Sequence, residues 1–174
     1  MDNSAIRVQP RPPFYVAVVG PGDDAGPEKM ATARRVGGLL AEHGVILVCG
    51  GLTGVMAAGC EGAASQGGLT VGLLPGRNRS AGNAHLSVVL PTGLGELRNG
   101  LIVAACDAVI AIGGRRGTLS EIALAARTGK PVIAMDGWTV HDQAGQALIT
   151  RDCARSPEQA VAQALALTAS GERQ

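Results

Sequence analysis

Residues 107–121 read DAVIAIGGRRGTLSE, and this stretch decides the fold. The apolar run 107–112 predicts a buried β-strand, the glycines after it predict a tight turn, and residues 119–126 predict a helix. A strand, a glycine-rich turn and a helix together aim backbone N–H groups and the positive end of a helix dipole at an anion. Arg115 and Arg116 add positive charge to the predicted turn. The stretch therefore indicates a phosphate-binding site, although a plain crossover turn with solvent-facing arginines has the same pattern.

The same alternation of strand and helix continues through the chain. Continuously apolar segments predict strands at 14–19, 45–49, 70–74, 86–90, 107–112 and 131–135. Strands without polar alternation are typical of a parallel sheet that is covered on both faces. We therefore predict an α/β protein, a single-domain Rossmann-like parallel sheet flanked by helices on both faces, over residues 14–170. A flexible N-terminal arm is predicted at 1–13 and a final helix at 157–169, whereas the sequence leaves the structure of 138–155 open.

The composition argues against nucleic-acid, membrane and metal partners. A net charge of +1 with scattered basic residues gives no support for a nucleic-acid partner. No apolar run approaches the roughly 20 residues that span a bilayer, and no signal peptide is visible, so we expect a cytoplasmic protein without a membrane partner. The four cysteines form no CxxC pair, so we predict no metal site and expect buried thiols at Cys49 and Cys106.

The candidate ligand site lies where the predicted strands end. Parallel α/β sheets bind ligands at the carboxyl ends of their strands, and glycines cluster at several of these ends. The predicted ligand- or phosphate-binding residues are Gly20, Gly50, Gly51, Gly54, Gly113, Gly114, Arg115, Arg116, Gly117 and Thr118. The Thr118 hydroxyl either caps the following helix or binds a phosphate oxygen, and the sequence leaves both roles open. Arg98 and Glu121 complete the polar set, with Glu121 expected in the first turn of its helix.

Several familiar sites do not fit. The segment at 20–25, GPGDDA, lacks the third glycine of a dinucleotide-binding turn, and no Gly-Lys-Ser/Thr of a P-loop follows Gly50. The three histidines are scattered and no G-x-S-x-G is present, which argues against Ser/His/Asp hydrolysis.

Three motifs together resemble the LOG-like (SLOG) Rossmannoid superfamily: CGG with GVM at 49–56, TGLGELRN at 92–99, and GGRRGTLSE at 113–121. Within it, the chain is most similar to the branch of molybdenum cofactor carrier proteins. The resemblance implies binding of a phosphate-bearing, nucleotide-like ligand, either molybdopterin cofactor or a nucleoside monophosphate, without a required cofactor. It also implies a homodimer or homotetramer.

The resemblance implies an alternative as well. The LOG enzymes are phosphoribohydrolases that cleave the N-glycosidic bond of a nucleoside 5′-monophosphate to free base and ribose 5-phosphate. By this resemblance Arg98 and Glu121 would be the catalytic residues. Gly113, Arg115 and Ser120 depart from the enzymes' Pro-Gly-Gly-x-Gly-Thr-x-Glu-Glu signature, so whether the chain is an enzyme stays open.

Related proteins have also carried the label lysine decarboxylase, which the sequence does not favour. That chemistry normally uses a Schiff-base lysine. Lys29 falls in a predicted surface helix and Lys130 in a connecting turn, both expected to lie away from the strand ends.

Overall fold

The structure, a computed structural model, describes residues 13–138, 141, 143–147 and 152–170. The predicted arm at 1–13 therefore lies, except for Pro13, outside the described residues. In the segment 138–155, which the sequence leaves unassigned, the described residues contribute one strand and an isolated bridge between His141 and Ala147.

The described strands form one seven-stranded sheet in the order β4-β3-β2-β1-β5-β6-β7, and every neighbouring pair is parallel. The strands are β1 (Tyr15–Val19), β2 (Ile46–Cys49), β3 (Thr70–Leu74), β4 (Val88–Pro91), β5 (Ala108–Ile112), β6 (Val132–Met135) and β7 (Asp152–Cys153). The six predicted strands all exist, each within two residues of its expected start. The edge strand β7 was not predicted, because two residues are too short to produce a hydrophobic pattern.

Helices cover both faces of the sheet, as predicted. They are α1 (Pro27–Glu42), α2 (Val55–Ser65), α3 (Asn99–Ala105), α4 (Arg116–Arg127) and α5 (Pro157–Ser170). Val16 and Val18 of β1 pack in the core with α1, α2 and α5, whereas Ala17 and Val19 pack with α3 and α4. Both sides of the strands are therefore buried, which explains their continuous apolar sequence.

Small residues allow α1 and α2 to approach closely. A Cβ atom at Gly37 would overlap the carbonyl group of Gly59, and one at Gly62 would overlap that of Arg34. The two helix backbones are thus in direct contact above the sheet. Such contacts let a chain with only 2% aromatic residues fill its core with Ala, Val, Leu and Ile.

The order of the strands places the site. From β1 the chain adds strands on one side as far as β4, then crosses back to place β5 on the other side of β1. A crevice forms at such a reversal because the connections after the two central strands go to opposite faces. Here it lies between the segments that follow β1 and β5, residues 20–26 and 113–115.

Three of the four cysteines are buried thiols. Cys49 and Cys106 are buried and unpaired, as expected, and Cys60 is buried beside Cys49 with 3.5 Å between the sulfur atoms. Among the helices of the described segments, none combines the length and the apolar character needed to span a bilayer.

Candidate ligand-binding site

The start of α4 forms one wall of the crevice. Gly113 takes a positive φ of 65° and donates its N–H to the Met135 carbonyl at 2.7 Å, which turns the chain out of β5. Arg115 is the N-cap residue in an extended conformation, and the helix begins at Arg116. The prediction that both arginines lie in the turn is therefore wrong for Arg116. The apolar periodicity from which the helix was predicted starts only at Leu119, so it gave no sign of the polar first turn.

The first turn of α4 leaves backbone donors free. The first intrahelical bond runs from the Leu119 N–H to the Arg115 carbonyl at 2.9 Å, so the N–H groups of residues 116–118 have no acceptor within the helix. No side chain caps this end. A Cβ atom at Gly117 would meet no atom within 4 Å. Free N–H groups, the helix dipole and open space around Gly117 together suit an anion.

Thr118 adds a hydroxyl group to this end of the helix. It is the third residue of α4, so it is not the N-cap, and the predicted capping role is wrong. The residue is 3% exposed, and its hydroxyl forms no hydrogen bond with the described residues. Its oxygen is not among the buried polar atoms that lack a partner, so the hydroxyl remains accessible to solvent or to a ligand. Of the two roles, contact with a phosphate oxygen stays as a prediction.

Arg98 lies in a 3-10 turn, Gly95–Arg98, directly before α3. The side chain is only 7% exposed and donates from Nη1 to the Leu73 carbonyl of β3. A Cβ at Gly50 would overlap the guanidinium, so the glycine at the end of β2 makes room for it. The Nε atom is buried without a partner among the described residues. Burial lowers the pKa of Arg98, and the carboxylates of Glu121 and Glu96 act against that shift.

Glu121 is the sixth residue of α4 and 7% exposed, so the prediction that it lies in the first turn is wrong. The helix begins earlier than expected, which moves this carboxyl away from the favourable end of the dipole. Burial raises the pKa of Glu121 to about 7; the Arg98 charge opposes the rise and Glu96 adds to it. A carboxyl group with such a pKa exchanges its proton near neutral pH and is able to act as an acid or a base. The structure thus brings Arg98 and Glu121 within electrostatic range of each other.

Asn99 and Ser120 join α3 to α4 beside this pair. The Ser120 hydroxyl donates to the Gly117 carbonyl at 2.7 Å and accepts from the Asn99 side-chain amide at 3.1 Å. Asn99 is 5% exposed. Sequence reasoning did not select it, although it directly follows Arg98 in the quoted motif. Ser120, which replaces a glutamate of the LOG signature, serves here to hold the two helices together.

Contacts within the protein explain the other glycines among the predicted ligand-binding residues. Gly20 packs against the Ile112 carbonyl and Val55, and Gly51 against Leu74. Gly54 has a positive φ of 62°, and a Cβ there would overlap the carbonyl groups of Pro21 and Gly22. These glycines let the segments after β1 and β2 stack beneath the crevice. Direct contact of Gly20, Gly50, Gly51 or Gly54 with a ligand stays a prediction.

Charged side chains line the rim. Arg115 forms an ion pair with Asp24, which joins the segment after β5 to the segment after β1 across the crevice. Lys29 lies with its stem against Gly113 and its ammonium 3.3 Å from the Asp136 carboxylate. The expectation that Lys29 lies away from the strand ends is therefore wrong, because α1 begins immediately beyond the segment that follows β1. Lys130 instead donates to the Ala104 carbonyl at 3.0 Å, before β5 begins.

Two further observations concern the rest of the described chain. In those residues, no three His, Cys, Asp or Glu side chains are grouped to hold a metal ion. A surface depression between α1 and α2, lined by Arg34, Glu42 and Gln66 among others, contains none of the predicted site residues.

The fold and the site define the class first: a doubly wound α/β protein with an uncapped helix start at its switch point. Comparison with known proteins then identifies the family. The model of the SLOG cluster4 family matches residues 13–165, and the chain belongs to this family. The predicted SLOG membership is confirmed.

Similar proteins of known structure support the resemblance to the branch of molybdenum cofactor carrier proteins. The structure of the molybdenum cofactor binding protein from the phototrophic bacterium Rippkaea orientalis is 32% identical, with a TM-score of 0.80 over 91% of this chain and 99% of that chain. The molybdenum cofactor carrier protein of Chlamydomonas reinhardtii is 29% identical, with a TM-score of 0.80 over 91% and 100%. An uncharacterized protein of Archaeoglobus fulgidus is 43% identical over 122 residues, which cover 70% of this chain and 80% of that protein.

Proposed function

We propose that this chain binds a phosphate-bearing, nucleotide-like small molecule and serves as a carrier-like protein for the molybdenum cofactor. The observation that carries the proposal is the uncapped start of α4, where free N–H groups lie beside Gly117 and the unpaired Thr118 hydroxyl. The similarity to molybdenum cofactor carriers supports the choice of ligand.

The side chains present fit the terminal phosphate of that cofactor. The N–H groups of residues 116–118 and the Thr118 hydroxyl would bind phosphate oxygens, and the exposed Arg116 at the first helical position would supply a counter-charge. The buried, unpartnered Nε of Arg98 is a further donor that a ligand would satisfy. The bound cofactor would supply its molybdenum centre for transfer, while these residues hold and orient its organic part.

Phosphoribohydrolase activity is the second candidate, and the state of Glu121 favours it. A carboxyl with a pKa of about 7, close to the Arg98 charge, is able to bind ribose hydroxyls and stabilise an oxocarbenium-like centre while water replaces the base. Ser120, however, replaces the first glutamate of the LOG signature, so one carboxylate of that pair is absent, and its hydroxyl is instead hydrogen-bonded between the two helices.

The test compares two variants at the start of α4. Thr118→Val removes the hydroxyl, and Gly117→Ala adds a methyl group where the protein alone leaves space. Bound molybdenum per chain is measured after anaerobic incubation with free cofactor and gel filtration. A lost hydrogen bond to a charged phosphate corresponds to about a tenfold or larger loss of affinity. Thr128→Val, whose hydroxyl only bonds α4 carbonyls, and Gly100→Ala, at another open helical glycine, are the matched controls.

The same preparations are incubated with AMP, and free base and ribose 5-phosphate are followed by chromatography. Turnover that Glu121→Ala abolishes would establish the hydrolase instead of the carrier. If the site variants bind cofactor as well as their controls do, α4 does not hold the phosphate and the proposal fails.

A homodimer or homotetramer is part of the proposal. Leu94, Leu97 and Leu101 are all exposed near the start of α3, with Leu97 81% exposed, and a second copy of the chain would bury them. Light scattering at micromolar concentration tests this. A cytoplasmic location and the absence of nucleic-acid and membrane partners stay predictions from the sequence.

A further inference from the structure

The chain's single tryptophan, Trp138, lies beside residues 113–115, the segment after β5, which is named the phosphate loop after its proposed role. The turn after β6, residues 136–138, packs on the segment after β5: a Cβ at Gly137 would lie 2.8 Å from the Gly113 carbonyl oxygen. The Trp138 indole lies directly against Gly114, where any Cβ would overlap the ring. The ring therefore borders the segment that leads into the uncapped start of α4.

The turn that places this ring has an unfavourable backbone. Asp136 has a φ of 49°, the only positive φ of a non-glycine residue in the described chain. Such a conformation is unfavourable for a residue with a side chain and is retained where surrounding contacts hold it. The Lys29 ammonium, 3.3 Å from the Asp136 carboxylate, is one such contact. Two neighbouring segments thus cooperate to position Trp138.

Despite this placement, the indole is not buried. Trp138 is 44% exposed, so much of a large aromatic surface faces solvent. Its indole N–H forms no hydrogen bond with any described residue, which leaves both the ring and its donor available. A residue needed only for packing would gain more from full burial. Exposed aromatic rings beside an anion site are well suited to stack on the flat ring of a phosphate ester.

We propose that Trp138 is a positioning residue that stacks on the heteroaromatic ring of the ligand whose phosphate lies at the start of α4. This inference rests on the proposed function and narrows its ligand class to phosphate esters with a flat heteroaromatic ring, such as a pterin or a purine, as opposed to plain sugar phosphates. Gly114 is required because any side chain there would displace the indole from the phosphate loop.

The test uses two probes that share a ribose 5-phosphate group and differ in the ring: GMP and ribose 5-phosphate. Both are titrated into the wild-type chain and the variants Trp138→Phe and Trp138→Leu, with dissociation constants from calorimetry. Trp138→Leu should weaken GMP at least about fivefold and leave ribose 5-phosphate unchanged, whereas Trp138→Phe should retain most of the GMP affinity. GMP should also change the fluorescence of the wild-type tryptophan, and ribose 5-phosphate should not.

The outcomes separate the two proposals. If wild type and Trp138→Leu bind GMP equally, or if both probes weaken together, Trp138 contributes no stacking and the inference is overturned while phosphate binding stands. If the wild-type chain binds neither probe, the proposed function fails and this inference fails with it. Should Trp138→Leu not fold, Trp138→Phe and the wild-type fluorescence decide: a lack of any GMP-dependent change rejects stacking.

Discussion

The buried carboxyl of Glu121 makes the stability of the fold depend on pH in a defined direction. Its pKa rises from 4.5 to about 7 on folding, chiefly because burial disfavours the charged form. The folded state therefore holds the proton more tightly than the unfolded chain does. This contribution is fully present below pH 4.5 and is lost as pH rises through about 7. Glu121→Gln, which cannot ionise, removes the dependence.

The size of the effect follows from the shift. A difference of about 2.5 pKa units at about 1.36 kcal/mol each corresponds to about 3 kcal/mol. The attraction between ionised Glu121 and Arg98 is already contained in the pKa of about 7, because the Arg98 charge lowers that pKa. Any other effect of replacing the carboxyl by an amide shifts the stability of the variant by an amount that does not change with pH. The quantity to measure is accordingly the change with pH of the stability difference between variant and wild type.

Urea denaturation of both proteins at several pH values between about 4 and about 8 provides that quantity. Relative to wild type, Glu121→Gln should gain about 3 kcal/mol in unfolding free energy across this range. Glu61→Gln, at a surface carboxyl whose pKa is lowered by its hydrogen bond with Arg34, serves as the control and should change in the opposite direction, losing stability relative to wild type as pH rises. A stability difference for Glu121→Gln that stays constant with pH would refute the reasoning, because the carboxyl would then titrate alike in the folded and unfolded chains.

Three further predictions concern glycines and the exposed leucines. Gly50→Ala should displace the Arg98 guanidinium from the Leu73 carbonyl and destabilise the fold by about 1–3 kcal/mol, measured by urea denaturation; unchanged stability would contradict the tight fit. Gly62→Ala should also destabilise the fold by about 1–3 kcal/mol, because its methyl group meets the Arg34 carbonyl. Gly100→Ala, where the added methyl group meets no atom, should instead stabilise α3 by about 0.5–1 kcal/mol, and an equal change in the unfolding free energy of the two variants would contradict the prediction. Leu97→Glu should reduce the mass measured by light scattering to that of one chain without loss of stability, and an unaltered oligomer would place the interface elsewhere.

Much of the fold could be predicted because its signals are local. Each predicted strand is a short apolar run, and Ser156 and Gln159 mark the start of α5 through their own hydrogen bonds, from the Gln159 N–H to the Ser156 hydroxyl and from the Arg155 N–H to the Gln159 side chain. The start of α4 was misplaced because its first turn is polar. β7 was missed because its pairing with β6 depends on a distant partner and not on its own two residues.

For the candidate site, the sequence identified residues but not their environments. The motif residues Arg98, Thr118 and Glu121 were selected from the sequence, and all three are buried in the structure, while their contact with a ligand stays a prediction. Their environments were not predictable: the Arg98 contact with Leu73 joins residues 25 positions apart, and the Asn99–Ser120 bond joins residues 21 apart. The position of Lys29 against Gly113 depends likewise on where α1 meets the end of β5.

By itself the sequence determined the class of fold and the family, because apolar runs, glycine turns and motifs are formed by residues that are close together in the chain. Only the tertiary structure decided the protonation behaviour of Glu121, the lack of a partner for the Thr118 hydroxyl and the placement of Trp138 against Gly114. The physical reason is that desolvation, hydrogen-bond satisfaction and close packing depend on which atoms surround a group. Those atoms come from segments that folding alone brings together.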